Sequence, residues 1–275
     1  MRRNIVKLSV RSQTFGAVLP AILLFWALGS SCSRALFVPP AGPGEPAPEA
    51  PAAWSEATAA CQRVRTYSAI VTLSGTVRGS RFPGLTMVTA LTADGGAHLQ
   101  AHASGRQIFL LAGRADQASL WLREENRVVT APLEDIVQNL ADVRFGGDDL
   151  LAILAGCAVR SFEIASARRY GALVSVETTQ GRVFIEQIDG AWAAKGAVVD
   201  NLIVDYRQRD GPMPSDVVLG TPEQGAAGVT LRFRPEQVAL DEALRPQLFA
   251  LPASAASATP MTLQELRDSG PLRGR

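Results

Sequence analysis

The chain has 275 residues, 47% of them hydrophobic, and a formal net charge of +1. That is enough apolar material for one large domain or two small ones. Without residues 1–31 the balance is 23 basic against 26 acidic residues, a net −3 with no basic stripe, which excludes the profile of a nucleic-acid binder.

The chain begins with a basic segment, MRRNIVKLSVRSQ, followed by the apolar run TFGAVLPAILLFWAL and then small residues. This order is that of a secretory signal, and the run is short for a membrane span. An uncleaved N-terminal anchor helix is the competing reading. Gly29, Ser30 and Ser31 precede Cys32 where the apolar run ends. The segment resembles the lipobox of bacterial lipoproteins, in which the Cys is acylated and becomes the new N-terminus. Leu28 stands one place early and Gly29 occupies the usual Leu position. Cys32 is the expected lipid-attachment site, a signal peptide is expected over 1–31, and Ser33 resembles an outer-membrane address. Residues 38–52, VPPAGPGEPAPEAPA, carry six prolines. Such composition opposes regular structure. Residues 32–53 therefore read as an acylated Cys and a tether, which in polyproline II would reach roughly 45 Å.

From Trp54 the pattern turns helical, with Trp54, Ala57, Cys61 and Val64 on one stripe of residues 54–65. Strands follow. Residues 66–77 put Tyr67, Ala69, Val71 and Leu73 on one face; 84–93 do the same with Leu85, Met87 and Leu91. Asp94-Gly95-Gly96 is a hairpin signal, and further strands are predicted at 97–103, 106–113, 118–124 and 126–131. Two helical pieces occupy 132–143 and 147–156, the first opened by Pro132 and the second closed by Gly156. Strands resume at 172–179, 182–188, 192–199, 201–208, 215–221 and 228–238, and 253–275 reads as a flexible tail with a Thr262/Glu265 capping box. The expected class is α+β and mainly antiparallel β: a single curled sheet or half-open β-barrel of about 10–12 strands. The helices would cover its concave face.

Chemistry-bearing motifs are missing: there is no G-x-S-x-G, H-E-x-x-H, P-loop or G-x-G-x-x-G. His98 and His102 share a strand face without a third ligand, and Glu186 and Asp205 read as solvated outer-face charges. No enzyme activity, metal or cofactor is expected. In an exported protein Cys61 and Cys157 are a candidate disulfide clipping the first helix to the end of the helical interlude; two separate buried thiols are the alternative.

Three stretches carry a resemblance. TYSAIVTLSGTVRG (66–79), DDLLAILAGC (148–157) and PQLFALP (246–252), in their order of elements, resemble the bacterial lipoprotein carriers LolA and LolB over residues 54–252. The resemblance implies a half-barrel with a helical lid over an apolar cavity, binding lipid or lipoprotein acyl chains at the periplasmic face of the outer membrane. It implies a lipid-anchored protein whose partners are the membrane and its cargo; a monomer is expected. Wall candidates are Leu73, Met87, Leu91, Leu99, Phe109, Leu111, Leu120 and Leu122, with Leu151 and Leu154 from the lid; each is equally a candidate for ordinary core. LolB-like proteins carry an exposed apolar loop residue for membrane delivery. The matching loop, HASGRQ, has no aliphatic tip, which leaves Phe82 in RGSRFPG as the membrane-facing candidate. LolA-like proteins hold the lid with an arginine, for which Arg63, Arg65 and Arg106 are candidates. A non-transport scaffold using the same sheet as an interaction surface is the alternative function.

Overall fold

The computed structural model describes residues 35–222 and 228–270; Cys32 and the signal segment lie outside the described residues. A two-residue strand, β1 (Glu45–Pro46), leads into helix α1 (Ala50–Thr58). A meander of six strands follows: β2 (Thr66–Val77), β3 (Ser80–Thr92), β4 (Ala97–Ala103), β5 (Arg106–Arg114), β6 (Gln117–Leu122) and β7 (Arg127–Ala131). Helices α2 (Leu133–Ala141) and α3 (Gly147–Ala155) interrupt the strands. The second meander comprises β8 (Ser166–Tyr170), β9 (Leu173–Glu177), β10 (Gly181–Ile188), β11 (Ala191–Val199), β12 (Leu202–Asp210), β13 (Met213–Gly220) and β14 (Thr230–Leu240). A short β15 (Thr259–Pro260) and helix α4 (Leu263–Ser269) close the described chain.

All strands join one sheet in the order β1-β8-β9-β10-β11-β12-β13-β14-β2-β3-β4-β5-β6-β7-β15. Each meander follows from short connections, which pair neighbours in sequence. The join between the two is β14, which returns antiparallel to β2 with Phe233 opposite Leu73. β15 pairs parallel with β7. The sheet is curled and unclosed, as the strand pattern predicts.

Period-two alternation decides which face is core. Tyr67, Val71, Met87, Leu91, Leu111 and Leu120 are each at most 2% exposed and point to the concave side. Three helices cover that side. α1 packs on β9, β10 and β11; α3 lies over β3 and β13, across the join; α2 lies on β6 and β7.

Several expectations need correction. The sheet has fifteen strands, because β1, β8 and β15 carry no apolar alternation and were not predicted. The proline-rich stretch is partly structured: Glu45 and Pro46 pair with Arg169 and Arg168, and α1 starts at Ala50, earlier than Trp54. Proline is tolerated there because the first-turn N–H groups have no intrahelical partner. The expected tail is also built in. Thr259 pairs with Arg127, the capping box forms with the Thr262 N–H donating to Glu265 at 2.7 Å, and Leu266 is fully buried. Phe82 is not a loop tip: it lies in β3 opposite Gly75 and is 3% exposed.

The convex face is covered in two places. Residues 246–249 lie over β4 and β5, with the His98 ring nitrogen 2.7 Å from the Leu248 carbonyl, and further on Asn126, in the turn between β6 and β7, donates to the Ser257 carbonyl at 3.2 Å. At the other meander, the Phe37 ring sits 5.1 Å from that of Phe184.

Candidate functional site

The lid is built from sequence signals that its helices share with their surroundings. α2 carries Glu134 and Asp135 in its first turn, where the helix dipole favours negative charge. It ends at Asp142, in a left-handed conformation. Arg78, in the tight turn between β2 and β3, donates to Asp142 at 3.1 Å and to the Asn139 carbonyl at 3.5 Å, tying the helix end to the sheet. That guanidinium hydrogen bond is the main cause holding the Asp142 carboxyl below its ordinary pKa.

α3 begins with Gly146 N–H donating to Asp149 at 2.8 Å and ends at Gly156, whose φ of 94° needs a residue without a side chain. Leu150 through Ala155 are all buried. Three clamps hold α3. The Tyr206 hydroxyl donates to the Ile153 carbonyl at 3.0 Å; Cys157 is disulfide-bonded to Cys61, with Cα atoms 5.9 Å apart; and Arg160 pairs with Asp148 and Asp149. Arg209 supports the first clamp. It stacks over the Tyr206 ring at 5.3 Å and donates to the Ala194 carbonyl at 2.7 Å. Burial raises the Tyr206 phenol above its usual range and lowers the Arg209 guanidinium below its own.

Two cavities flank α3. The larger, about 650 Å³, lies between α2, α3 and the turns β9–β10 and β11–β12. Its apolar lining comes from Val143, Phe145, Ile153, Val159, Val199 and Leu202; its polar lining includes Arg144, Arg160, Gln180, Asp200 and Asn201. The rim is held in ion pairs, Arg144 to Glu134 at 3.0 Å and Arg160 to Asp149 at 2.7 Å. Gln180 accepts from the backbone N–H groups of Arg160 and Ser161 at 2.7 and 2.6 Å. The smaller cavity, about 290 Å³, lies between the Cys61–Arg65 segment and the other side of α3, against Leu151 and Phe162. Both cavities touch Val159 and Arg160. The arrangement suits an amphiphile: apolar side chains to receive a chain, and a polar rim for a head group.

The structure separates the predicted site residues into groups. Leu73, Met87, Leu91, Leu99, Phe109, Leu111, Leu120, Leu122, Leu151 and Leu154 all belong to the concave core and are at most 9% exposed. Leu151 lines the smaller cavity; Leu202, Val199 and Ile153, which line the larger one, were not singled out in the sequence. Arg63, Arg65 and Arg106 are exposed; Arg65 lines the smaller cavity beside α3, while the arginines that bond to the lid helices are Arg78, Arg144 and Arg160, with Arg209 supporting the Tyr206 clamp. Asp205 is not a solvated charge: it is 3% exposed and paired with Arg207 at 3.0 Å. His98 is buried beneath the C-terminal segment rather than at the surface. Among the described residues no cluster of three metal-ligating side chains occurs, and no helix is long and apolar enough to cross a membrane. The hairpin turns Thr179-Gln180 and Asp200-Asn201 could have been flagged only as turns, since their polar residues carry no periodic signal.

An open antiparallel sheet, a three-helix lid and a cavity at their junction define a class of β-half-barrel protein. Among solved structures, the chain is similar to a LolA superfamily protein from Nitrosomonas europaea, at 9% identity and a TM-score of 0.50, over 74% of this chain and 97% of that one. Weaker likenesses are a putative outer membrane lipoprotein-sorting protein domain from Vibrio parahaemolyticus (7% identity, TM-score 0.42, 67% and 89% covered) and the lipoprotein LppX from Mycobacterium tuberculosis (12%, 0.31, 71% and 98%). No family matches the chain in sequence, and no curated protein does. The chain therefore resembles a LolA superfamily protein in fold, with little identity in sequence.

Proposed function

We propose that this protein is a lipid-anchored envelope carrier that binds the apolar chains of a lipid or lipoprotein between its sheet and its helices. The supporting observation is the cavity of about 650 Å³ at the lid, whose lining joins buried apolar side chains such as Phe145, Ile153 and Leu202 to polar and charged ones. Its volume falls within the roughly 300–1,000 Å³ of small-ligand sites. Each methylene taken from water into such a space contributes about 0.8 kcal/mol. The reading places the anchor at Cys32 and the domain on the periplasmic side of the outer membrane. Native mass spectrometry of the full-length protein, extracted from membranes, tests it. The expected spectrum shows an adduct of lipid mass beyond the anchor, lost on denaturation and diminished in Asn201→Trp, which narrows the rim. Adduct-free protein under every extraction condition would sink the carrier reading.

A scaffold is the second reading, and one observation favours it: the ten expected wall residues are packed as core. In vivo crosslinking separates the two. A scaffold yields one fixed protein partner, while a carrier yields many.

A further inference from the structure

We propose that the mouth of the larger cavity is held at the bilayer surface by a strap, Leu36–Phe37, so that cargo passes between bilayer and cavity without crossing open water. This deepens the carrier reading, on which it rests for what passes, and it rests on acylation of Cys32 for the anchor.

The strap is a built contact. The Leu36 side chain lies directly over Gly220, and the Phe37 ring lies over Gly196, where an added Cβ would come within 2.7 Å of the ring. Neither glycine is among the residues with positive φ, so the backbone there does not demand glycine; the absence of a side chain makes room for the strap. Phe184 completes the seat. The strap crosses the second meander from β13 towards β10, then the chain continues past Tyr170, whose hydroxyl donates to the Gly42 carbonyl at 3.1 Å, to β1 at the sheet edge.

The place where the strap starts is informative. Gly220, under Leu36, is followed by Thr221, which lines the cavity. Gly220 also pairs with Ile203 of β12, one residue beyond Leu202, another lining residue. Leu36 thus sits on the convex side of the same strand ends whose concave side forms the mouth. Cys32 is four residues before Leu36. Four residues of fully extended chain span at most about 14 Å, far less than a free proline-rich tether would allow. A bilayer that held acyl chains at Cys32 would lie within that distance of the strap's start and thus beside the mouth. The far ends of the same strands, at the β10–β11 and β12–β13 turns, would face away.

The test uses the full-length acylated protein in vesicles of phosphatidylethanolamine and phosphatidylglycerol. A photo-crosslinking amino acid is placed at Asn201, on the rim, or at Asp210, at the far end of β12; both positions are exposed. Labelled phospholipid is expected to crosslink several-fold more at Asn201. A long Gly/Ser insertion between Ser33 and Arg34 is expected to erase that preference, as is the double substitution Leu36→Ser, Phe37→Ser. Equal crosslinking at the two positions, a preference that survives the insertion, or protein that fails to float with the vesicles would each overturn the proposal. Adduct mass spectrometry on the same samples keeps the two readings apart. Bound lipid without end preference sinks the orientation and spares the carrier. End preference without bound lipid upholds the orientation and sinks the carrier.

Discussion

The two meanders of the sheet bury different side chains, and the difference locates the cavity. In β2–β6 the inward residues include many large ones, Tyr67, Leu73, Met87, Leu91, Phe109, Leu111 and Leu120, beside the small Ala69, Ala97, Ala101 and Ala118. In β9–β11 they are mostly small: Val174, Val176, Val183, Ala194 and Ala197, with Ile185 the larger exception. Large aliphatics reach the lid and close the space beneath it, which is why the first meander is packed as core. The smaller residues leave depth that α1 fills with Trp54, whose indole N–H donates to the Phe162 carbonyl at 2.9 Å. Where α1 does not extend, at the turns β9–β10 and β11–β12, the space stays open. The half under β2–β6 is thus the more solid one, and the other half is hollow at the larger cavity beside the β9–β10 and β11–β12 turns; the smaller cavity reaches the end of β3 at Ala93.

The sharpest way to break this contrast is to truncate one leucine in each half. Leu120, fully buried in the first meander, is expected to lose about 2–5 kcal/mol as Leu120→Ala, the range for a close-packed site. Leu202 already borders open volume, so Leu202→Ala should cost clearly less, with its effect falling on lipid adducts. Urea denaturation of both variants gives the comparison. Equal losses would mean that the second half is packed like the first.

A pair of tyrosines sharpens it at smaller scale. Tyr67 is fully buried in the first meander and its hydroxyl has no hydrogen-bond partner among the described residues. Burial raises its phenol above the usual range. Tyr206, in the second meander, gives its hydroxyl to the Ile153 carbonyl. Tyr206→Phe should cost about 1–2 kcal/mol by orphaning that carbonyl, whereas Tyr67→Phe should be neutral or gain up to about 1 kcal/mol by removing an unmet donor. Thermal melts of the two variants moving in the same direction by the same amount would contradict the assigned partners.

Most of this architecture was legible in the sequence, for a reason that also explains the omissions. Alternation marks strands whose two faces differ, and β2–β7 and β9–β14 have such faces. β8, SARRY, has no apolar face to display, because it is nearly an edge and its arginines bond outward, Arg169 to Glu49 and to the Gly171 carbonyl. Phe82 looked exposed because its neighbours are polar; its inward direction is set by pairing with Gly75, which no local pattern reveals. The candidate site was the least legible part. Alternation identifies buried residues, but it cannot separate a side chain packed against a neighbour from one beside a void. The ten predicted wall residues are large apolar side chains, and all but Leu151, which lines the smaller cavity, are packed into the core away from both cavities. The Cys61–Cys157 pair was the exception, since two cysteines in elements assigned to one face need little else to be matched.

The smallest effect concerns how α2 is fastened over the solid half. The Asp142 carboxyl is held below its ordinary value chiefly by Arg78, with Arg267 at 3.6 Å adding to it. A carboxyl with a depressed folded-state pKa contributes stability that is complete above its unfolded pKa and is lost as pH falls through the folded value. The ordinary value here is 3.8, so the contribution should be intact at neutral pH and should fade only in acid. Its size is under about 1 kcal/mol, as expected for a partly exposed pair. The stability gap between wild type and Asp142→Asn should therefore be constant above about pH 5 and narrow towards about pH 3. Two of the three clamps on α3 over the join, the disulfide and the Tyr206 hydroxyl, persist in acid, whereas the third, Arg160 with Asp148 and Asp149, rests on carboxylates as the Asp142 fastening does. Acid should consequently loosen α2 before α3, which amide hydrogen exchange measured helix by helix at the two pH values would show. A gap that stayed constant down to about pH 3, or α3 exchanging before α2, would mean that Arg78 is not what fastens the lid on that side.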